Sequence, residues 1–221
     1  MIQGILFDLD GTLVNSEPLW QEAEIEVFKE QGLNLTHADC QQTKGLPSVE
    51  AVKHWYDKIS HPTKEIGLIT QELNQRVISL LKEKGELKEG AMEILDFFNH
   101  KKLPLGIASA SSMAHIRSVT DKFNLNKYFK LIYSGDFERY GKPHPGIFIS
   151  ACKKLKIDPI FSLAFEDSFN GLLAAKSARM KAVVLLDEGQ IDDTRYNFAN
   201  LKIESLKNFG EAEFELLQNH H

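Results

Sequence analysis

The sequence predicts an α/β fold, in which a parallel sheet is covered by helices and a helical segment is inserted after the first strand. From residue 90 onward, short apolar runs alternate with segments that have helical periodicity. Residues 16 to about 84 break this alternation, because they show helical patterns and little strand signal. Strands that alternate with helices are typical of a parallel sheet, whose strands are short continuous apolar runs because both faces are buried.

The first strand and the segment after it differ in pattern. Residues 5–7, Ile-Leu-Phe, form an apolar run that ends at two aspartates. In the next segment, apolar residues recur at the spacing of one helix face. These residues are Trp20, Ala23 and Val27; Val49, Val52, Tyr56 and Ile59; and Ile66, Ile69, Leu73, Val77 and Leu80. We interpret residues 16–84 as an inserted helical domain, and residues 1–15 with 85–221 as the core.

The second half of the chain supplies the regular alternation. The pattern predicts, in order, a helix at 90–100, a strand at 105–108, a helix at 114–123, a strand at 130–134, a helix at 145–155, a strand at 161–165, a helix at 171–178 and a strand at 181–186. Ligands of an open parallel sheet bind beyond the carboxyl ends of its strands. The residues at those ends are therefore the candidates for function.

Composition excludes several classes of function. The chain has 221 residues, a net charge of −5 and 43% hydrophobic residues, which is enough for a sizeable core. The acidic balance, without a basic cluster, argues against a nucleic-acid surface. No apolar run approaches the roughly 18 residues of a membrane span, and no signal-peptide pattern opens the chain.

Cysteine usage favours a cytoplasmic protein. Cys40 and Cys152 lie far apart and show no zinc-ligand spacing, so two reduced thiols are the simplest interpretation. We expect a monomer with no nucleic-acid or membrane partner. The source of His220 and His221 stays open.

Four polar clusters follow the predicted strands. Each alone has an ordinary interpretation as a turn residue, a helix cap or a loop lysine. Their convergence on one edge of one sheet is far less expected by chance. The clusters are Asp8 with Asp10; Ser109 with Ala110 and Ser111; Lys142; and Glu166 with Asp167.

The carboxylates at this edge indicate a metal site. Neighbouring carboxylates repel unless a divalent cation or a shared proton lies between them. Mg²⁺ prefers oxygen ligands that include one or two carboxylates, waters and phosphate oxygens. Asp8, Asp167 and a backbone carbonyl near Asp10 are suitable donors.

The remaining clusters indicate phosphoryl transfer. Lys142, Ser109 and N–H groups of the turns, such as that of Ala110, supply positive charge and donors for a phosphate. One aspartate can then attack phosphorus, and the other can move a proton to the leaving oxygen.

In order and spacing, these motifs resemble the haloacid dehalogenase superfamily over nearly the full chain. The matching motifs are Asp8-Leu9-Asp10-Gly11-Thr12, Ser109, Lys142 in Gly-Lys-Pro-His-Pro, and Glu166-Asp167-Ser168. The resemblance implies a Rossmann-like parallel sheet core with an inserted α-helical cap domain of the β-phosphoglucomutase-like branch. Asn15 and Gly146 depart from the usual pattern, since many relatives carry Asp there, but both lie outside the implied ligand set.

The resemblance also implies a role for each motif residue. Asp8 is the nucleophile and Asp10 the general acid and base. Ser109 and Lys142 are phosphate ligands. The implied cofactor is Mg²⁺, with Asp8, Asp10 and Asp167 as its ligands and Glu166 in support.

Within the branch, residues 15–20 and 108–111 resemble 2-deoxyglucose-6-phosphate and hexitol phosphatases. We therefore expect a small phosphorylated metabolite as the partner, and Mg²⁺-dependent hydrolysis of a hexose or hexitol 6-phosphate through an aspartyl-phosphate. A sugar-phosphate mutase and a phosphoglycolate phosphatase are the alternatives. Trp20 and Ser48 stand where mutases carry His and Arg, which disfavours a mutase. The presence of Asp10 disfavours a dehalogenase. The intact set of motifs disfavours a non-enzymatic binding module.

Three residues of the inserted segment are candidates for substrate choice. Gly45 permits a turn that aims Lys44 at the site, where its ammonium would donate to a hydroxyl or phosphate. Glu17 would accept hydrogen bonds from hydroxyls, and Trp20 would lie against the apolar face of a sugar ring.

Overall fold

A computed structural model describes residues 1–219, so the two terminal histidines lie outside the described residues. Six parallel strands form one sheet in the order β3-β2-β1-β4-β5-β6. The strands are β1 (Gly4–Phe7), β2 (Leu105–Ser109), β3 (Phe129–Ser134), β4 (Ser162–Glu166), β5 (Lys181–Leu185) and β6 (Leu201–Ile203). Because the chain adds strands first on one side of β1 and then on the other, the crevice between β1 and β4 is the point where ligands of such sheets bind.

The helices lie in the inserted segment and between the strands. They are α1 (Glu17–Glu30), α2 (His37–Cys40), α3 (Ser48–Tyr56), α4 (Ile66–Lys84), α5 (Ala91–His100), α6 (Met113–Lys122), α7 (Gly146–Leu155), α8 (Phe169–Ser177) and α9 (Glu211–Asn219). Short 3₁₀ helices occur at Gly135–Phe137, Pro159–Phe161, Thr194–Tyr196 and Leu206–Asn208. Among the helices described, none is both long and apolar enough to cross a membrane.

The α/β prediction is confirmed. Every strand and helix predicted between residues 90 and 186 is present, with ends displaced by two residues or fewer. The analysis of the sequence missed β6, α2 and α9. β6 has three residues and α2 has four, so neither is long enough to establish a period.

Two apolar layers hold the central strands in place. On one face, the rings of Phe7 in β1 and Phe165 in β4 stack at 4.8 Å, and Phe98 of α5 packs edge-on against both. On the other face, the buried Leu6 and Ala164 belong to a second apolar cluster with residues of α7 and α8. The residues that follow β1 and β4 therefore start from fixed positions.

The inserted helices are held together by α4. It contacts α1 and α3, and it also contacts α6 of the sheet-containing part. Its predicted apolar face is confirmed, since Ile69, Leu73 and Val77 have no exposed surface. Val49 departs from its predicted face: it lies in the first turn of α3, is 41% exposed and borders an open cavity. We call residues 16–84 the cap segment; their separation as a domain stays a prediction.

Candidate active site

The turn after β1 places two aspartates at the carboxyl edge of the sheet. The backbone N–H of Asp8 donates to the Phe165 carbonyl at 2.9 Å, which continues the pairing of β1 with β4. Gly11 then adopts φ +78°, a conformation that L side chains rarely adopt. A Cβ on Gly11 would also overlap the carboxylate of Asp167. The glycine is therefore needed both for the turn and for the approach of the second acidic motif.

A buried lysine links two of the acidic groups. Lys142 is 5% exposed, and its Nζ donates to Asp8 Oδ1 at 2.5 Å and to Glu166 Oε1. Burial by itself would lower the pKa of Lys142, but Asp8 and Glu166 raise it above its ordinary value. Burial raises the pKa of Asp8 well above its usual range even though Lys142 opposes the shift. Lys142 therefore offsets only part of the cost of burying the Asp8 carboxylate.

The third acidic group completes a cluster that fits a divalent cation. Carboxylate oxygens of Asp8, Glu166 and Asp167 all lie within 4.8 Å of one another. Burial, followed by the charge of Glu166, raises the pKa of Asp167 to about 7. Hard oxygen donors crowded in this way are the ligands that Mg²⁺ takes. Among the described residues, the side chain of Asp10 is not part of this cluster. The sequence-based prediction gave Asp10 a place at the metal through a backbone carbonyl.

Asp10 has a separate set of partners. Ser111 Oγ donates to Asp10 Oδ2 at 2.6 Å, while His115 Nε2 and Trp20 Nε1 lie 2.9 Å and 3.3 Å from Oδ1. Burial alone would raise the pKa of Asp10, but His115 and Ser111 lower it below its ordinary value. The sequence analysis missed His115. The available signal was its position on the first turn of α6, four residues after Ser111 on the same strand-to-helix connection.

The loop after β2 contributes small side chains and backbone groups. Ser109 is buried at the end of β2, and its Oγ accepts a hydrogen bond from the Ser111 N–H at 3.1 Å. Ser134 fixes the same loop by donating to the Ser111 carbonyl at 2.7 Å. Ser109 and Ala110 both line the active-site cavity, and their role as phosphate ligands stays a prediction.

The three predicted substrate-choice residues occupy different places. Glu17 and Trp20, on α1, line the active-site cavity. Gly45 has φ +75°, so the predicted turn is present. Lys44 Nζ lies 3.2 Å from Asp187 Oδ2 and 4.0 Å from Asp167 Oδ2, which places it above the acidic cluster.

A buried carboxylate in the cap segment was also missed. Glu24 lines the cavity and is 5% exposed. It accepts hydrogen bonds from Thr43 Oγ1 at 2.9 Å and Trp55 Nε1 at 3.1 Å. Burial raises the pKa of Glu24 despite these bonds. Glu24 thus joins α1 to α3 and to the loop that precedes Gly45.

These groups enclose one cavity of about 70 Å³. Its lining comes from the turn after β1 with Asp8 and Asp10, from residues 109–111 at the end of β2 and after it, from Lys142 and from the cap segment. A second cavity of about 320 Å³ adjoins it between α3, α4 and the loop after β3. The residues that line both cavities are Pro47, Ser48, Ala110 and Lys142.

This fold and site define the chain's class: residues 5–185 match the haloacid dehalogenase-like hydrolase family, and the chain belongs to it. It is 33% identical to hexitol phosphatase B of Escherichia coli O157:H7 over 93% of each chain. It is 30% identical to the phosphorylated carbohydrates phosphatase of Thermotoga maritima, over 82% of this chain and 84% of that one. The crystal structure of CbbY from Rhodobacter sphaeroides in complex with phosphate has a TM-score of 0.88 at 25% identity, covering 97% of this chain and all of its own. The prediction of a phosphatase enzyme is confirmed.

Proposed function

We propose that the protein is a Mg²⁺-dependent phosphatase for a small sugar phosphate, such as a hexose or hexitol 6-phosphate, and that it acts through an aspartyl-phosphate on Asp8. The main support is the arrangement in one cavity: Asp8 is bonded to the buried Lys142, Asp167 lies beside it, and Asp10 has its own donors. Similarity to relatives named hexitol phosphatase and phosphorylated carbohydrates phosphatase supports the substrate class.

The acidic cluster supports the cofactor assignment. Asp8 and Asp167 would hold the ion, together with the backbone carbonyl of Asp10. Burial, together with the neighbouring carboxylates, raises the pKa values of Asp8 and Asp167 although Lys142 opposes both shifts. When bound, Mg²⁺ supplies the charge that reduces repulsion between these carboxylates and the substrate phosphate.

The protein's own groups divide the reaction into two displacements. Lys142 is bonded to Oδ1 of Asp8, so we assign Oδ2 as the atom that attacks phosphorus. The bond from phosphorus to the sugar oxygen breaks. Because His115 and Ser111 lower the pKa of Asp10 in the substrate-free site, Asp10 must take up a proton when the substrate binds, and it gives that proton to the sugar oxygen. Asp10 then takes a proton from the water that attacks the aspartyl-phosphate, which releases phosphate and restores Asp8. Ser109 and the Ala110 N–H hold the phosphate oxygens that do not react.

The cap segment supplies the contacts to the sugar. Glu17 and Trp20 line the cavity, and Lys44, which does not line it, has its Nζ 4.0 Å from Oδ2 of Asp167, a residue that does. The cavity of about 70 Å³ is small beside the roughly 300–1,000 Å³ of typical ligand sites. We therefore assign the cap segment an opening movement that admits substrate and a closing movement that excludes water.

A substrate panel tests this function. The purified protein would be assayed on hexitol 6-phosphate, 2-deoxyglucose 6-phosphate, phosphoglycolate and a nucleoside monophosphate, in excess EDTA and then in excess Mg²⁺. We expect the two sugar esters to have the highest kcat/KM, with turnover that EDTA abolishes and Mg²⁺ restores. A panel led by phosphoglycolate or the nucleotide contradicts the substrate class, and full turnover in EDTA contradicts the metal requirement.

A further inference from the structure

His115 is buried beside Asp10, in the turn after β1, but it does not line the active-site cavity. It is 1% exposed, and its ring lies 5.4 Å from the ring of Trp20 at an angle of 33°. Its Nε2 lies 2.9 Å from Asp10 Oδ1. Among the described residues, those that border the active-site cavity include Asp10 and Trp20 but not His115. Any effect of His115 on the reaction therefore passes through a neighbour.

Stability alone does not account for a histidine at this position. The Nδ1 atom of His115 is buried and has no hydrogen-bond partner among residues 1–219. Leaving a buried polar atom unpaired costs about 1–3 kcal/mol. An apolar side chain would fill similar space beside Ile116 and Trp20 without that cost. What the imidazole supplies, and an apolar side chain does not, is an Nε2–H donor to Asp10 Oδ1.

The bonds on Asp10 fix the orientation of its carboxylate. Ser111 holds Oδ2, and His115 holds Oδ1 from the other side. Ser111 lies in the connection after β2 and His115 in the first turn of α6, whereas the third donor, Trp20, belongs to the cap segment. His115 is itself held in place, because its backbone N–H donates to the capping Ser112 Oγ at 3.3 Å. When the cap segment moves, Ser111 and His115 are the donors that stay with Asp10.

We propose that His115 is a positioning residue that fixes the Asp10 carboxylate for proton transfer to and from the substrate. The inference rests on the proposed acid–base role of Asp10. Catalytic groups displaced by about 1 Å lose on the order of 10²-fold in rate, so a buried donor that fixes the carboxylate has a measurable effect. Because His115 does not face the cavity, its loss lowers kcat and leaves KM nearly unchanged.

The test compares His115→Leu, which removes the donor, with His115→Gln, whose terminal amide places an N–H close to the position of Nε2. On hexitol 6-phosphate with Mg²⁺, we expect His115→Leu to lower kcat by about 10- to 100-fold, as for other residues that orient a reacting group. We expect His115→Gln to keep kcat within about threefold of wild type. Thr120→Val, a buried polar change one turn later on α6, is the matched control and leaves kcat unchanged.

Two further measurements separate positioning from packing. In the Asp10→Asn background, His115→Leu adds less than about twofold, because the group it orients no longer acts. Phosphorylation by p-nitrophenyl phosphate is less affected than phosphorylation by the sugar ester, since p-nitrophenolate leaves without a proton.

The outcomes distinguish this inference from the proposed function. Equal loss of kcat in His115→Gln and His115→Leu overturns the positioning role, and so do losses that multiply fully with Asp10→Asn. If Asp10→Asn alone turns over at the wild-type rate, the acid–base role proposed for Asp10 is wrong and the role of His115 is wrong with it.

Discussion

Replacement of Lys142 by Met tests whether one ammonium balances the acidic cluster. Lys142→Met keeps an unbranched side chain but removes the donor to Asp8 Oδ1 and Glu166 Oε1. Without a metal ion, Asp8, Glu166 and Asp167 are then left close together in a site where Asp8 and Glu166 are buried. Loss of one partner of a buried ion pair leaves an uncompensated charge, which destabilises the folded state.

The burial of both ion pairs of Lys142 sets the loss of stability expected for Lys142→Met. Removing one partner of a buried pair costs about 3–5 kcal/mol. For a protein of this length, 1 kcal/mol shifts the thermal midpoint by about 2–4 °C. We therefore expect Lys142→Met to unfold about 6–20 °C below wild type in EDTA at about pH 8, where the clustered carboxylates are most fully charged. Mg²⁺ recovers part of this deficit because it restores positive charge among the same oxygens.

The assay is thermal unfolding followed by circular dichroism, in EDTA and in Mg²⁺. Lys44→Met is the matched control, because Lys44 also faces acidic groups but its side chain is 23% exposed. Exposed pairs contribute about 0–1 kcal/mol, so we expect the control to shift the midpoint by less than about 4 °C. A Lys142→Met midpoint within about 2 °C of wild type in EDTA would refute the argument that the ammonium offsets buried charge.

Three further predictions concern Asp10, Lys44 and Asp167. Asp10→Asn lowers kcat by about 10²–10⁴-fold, with a smaller loss for p-nitrophenyl phosphate than for the sugar ester in the phosphorylation step; equal losses argue against the acid role. Lys44→Ala lowers kcat/KM for the sugar phosphate more than for p-nitrophenyl phosphate, and steady-state kinetics that give equal effects contradict the sugar contact. Since burial raises the folded pKa of Asp167 to about 7, metal-free wild type loses stability as pH rises from about 4 to 7, because the folded state binds the extra proton in this window. Asp167→Asn unfolds with a shallower decline over the same range, and identical pH dependence in melting curves contradicts the shift.

Much of the site could be predicted from the sequence because its residues stand next to the strands that position them. Asp8 follows β1 directly and Ser109 ends β2, so knowing the strands was enough to place both at one edge of the sheet. The parallel sheet likewise follows from apolar runs such as residues 5–7 and 163–165, which are buried on both faces.

The residues that were missed depend on contacts between distant parts of the chain. His115 meets Asp10 across 105 positions of the chain, and its place four residues after Ser111 does not by itself specify that contact. Glu24 occupies a buried position on α1 where an apolar residue is the usual expectation, and its partner Trp55 is 31 positions away. Lys44 and Asp187 are 143 positions apart, so the ion pair between them could not be read from spacing.

Phosphoryl transfer to Asp8 is the most direct measurement of the proposed chemistry. The protein would be mixed with ³²P-labelled hexitol 6-phosphate and Mg²⁺, quenched in acid within one turnover, and digested to locate the label. We predict a label on the peptide that contains Asp8, released by hydroxylamine as acyl phosphates are, and absent from Asp8→Asn. A wild-type enzyme that releases phosphate without ever becoming labelled, or an Asp8→Asn variant that is still labelled, would contradict the aspartyl-phosphate pathway.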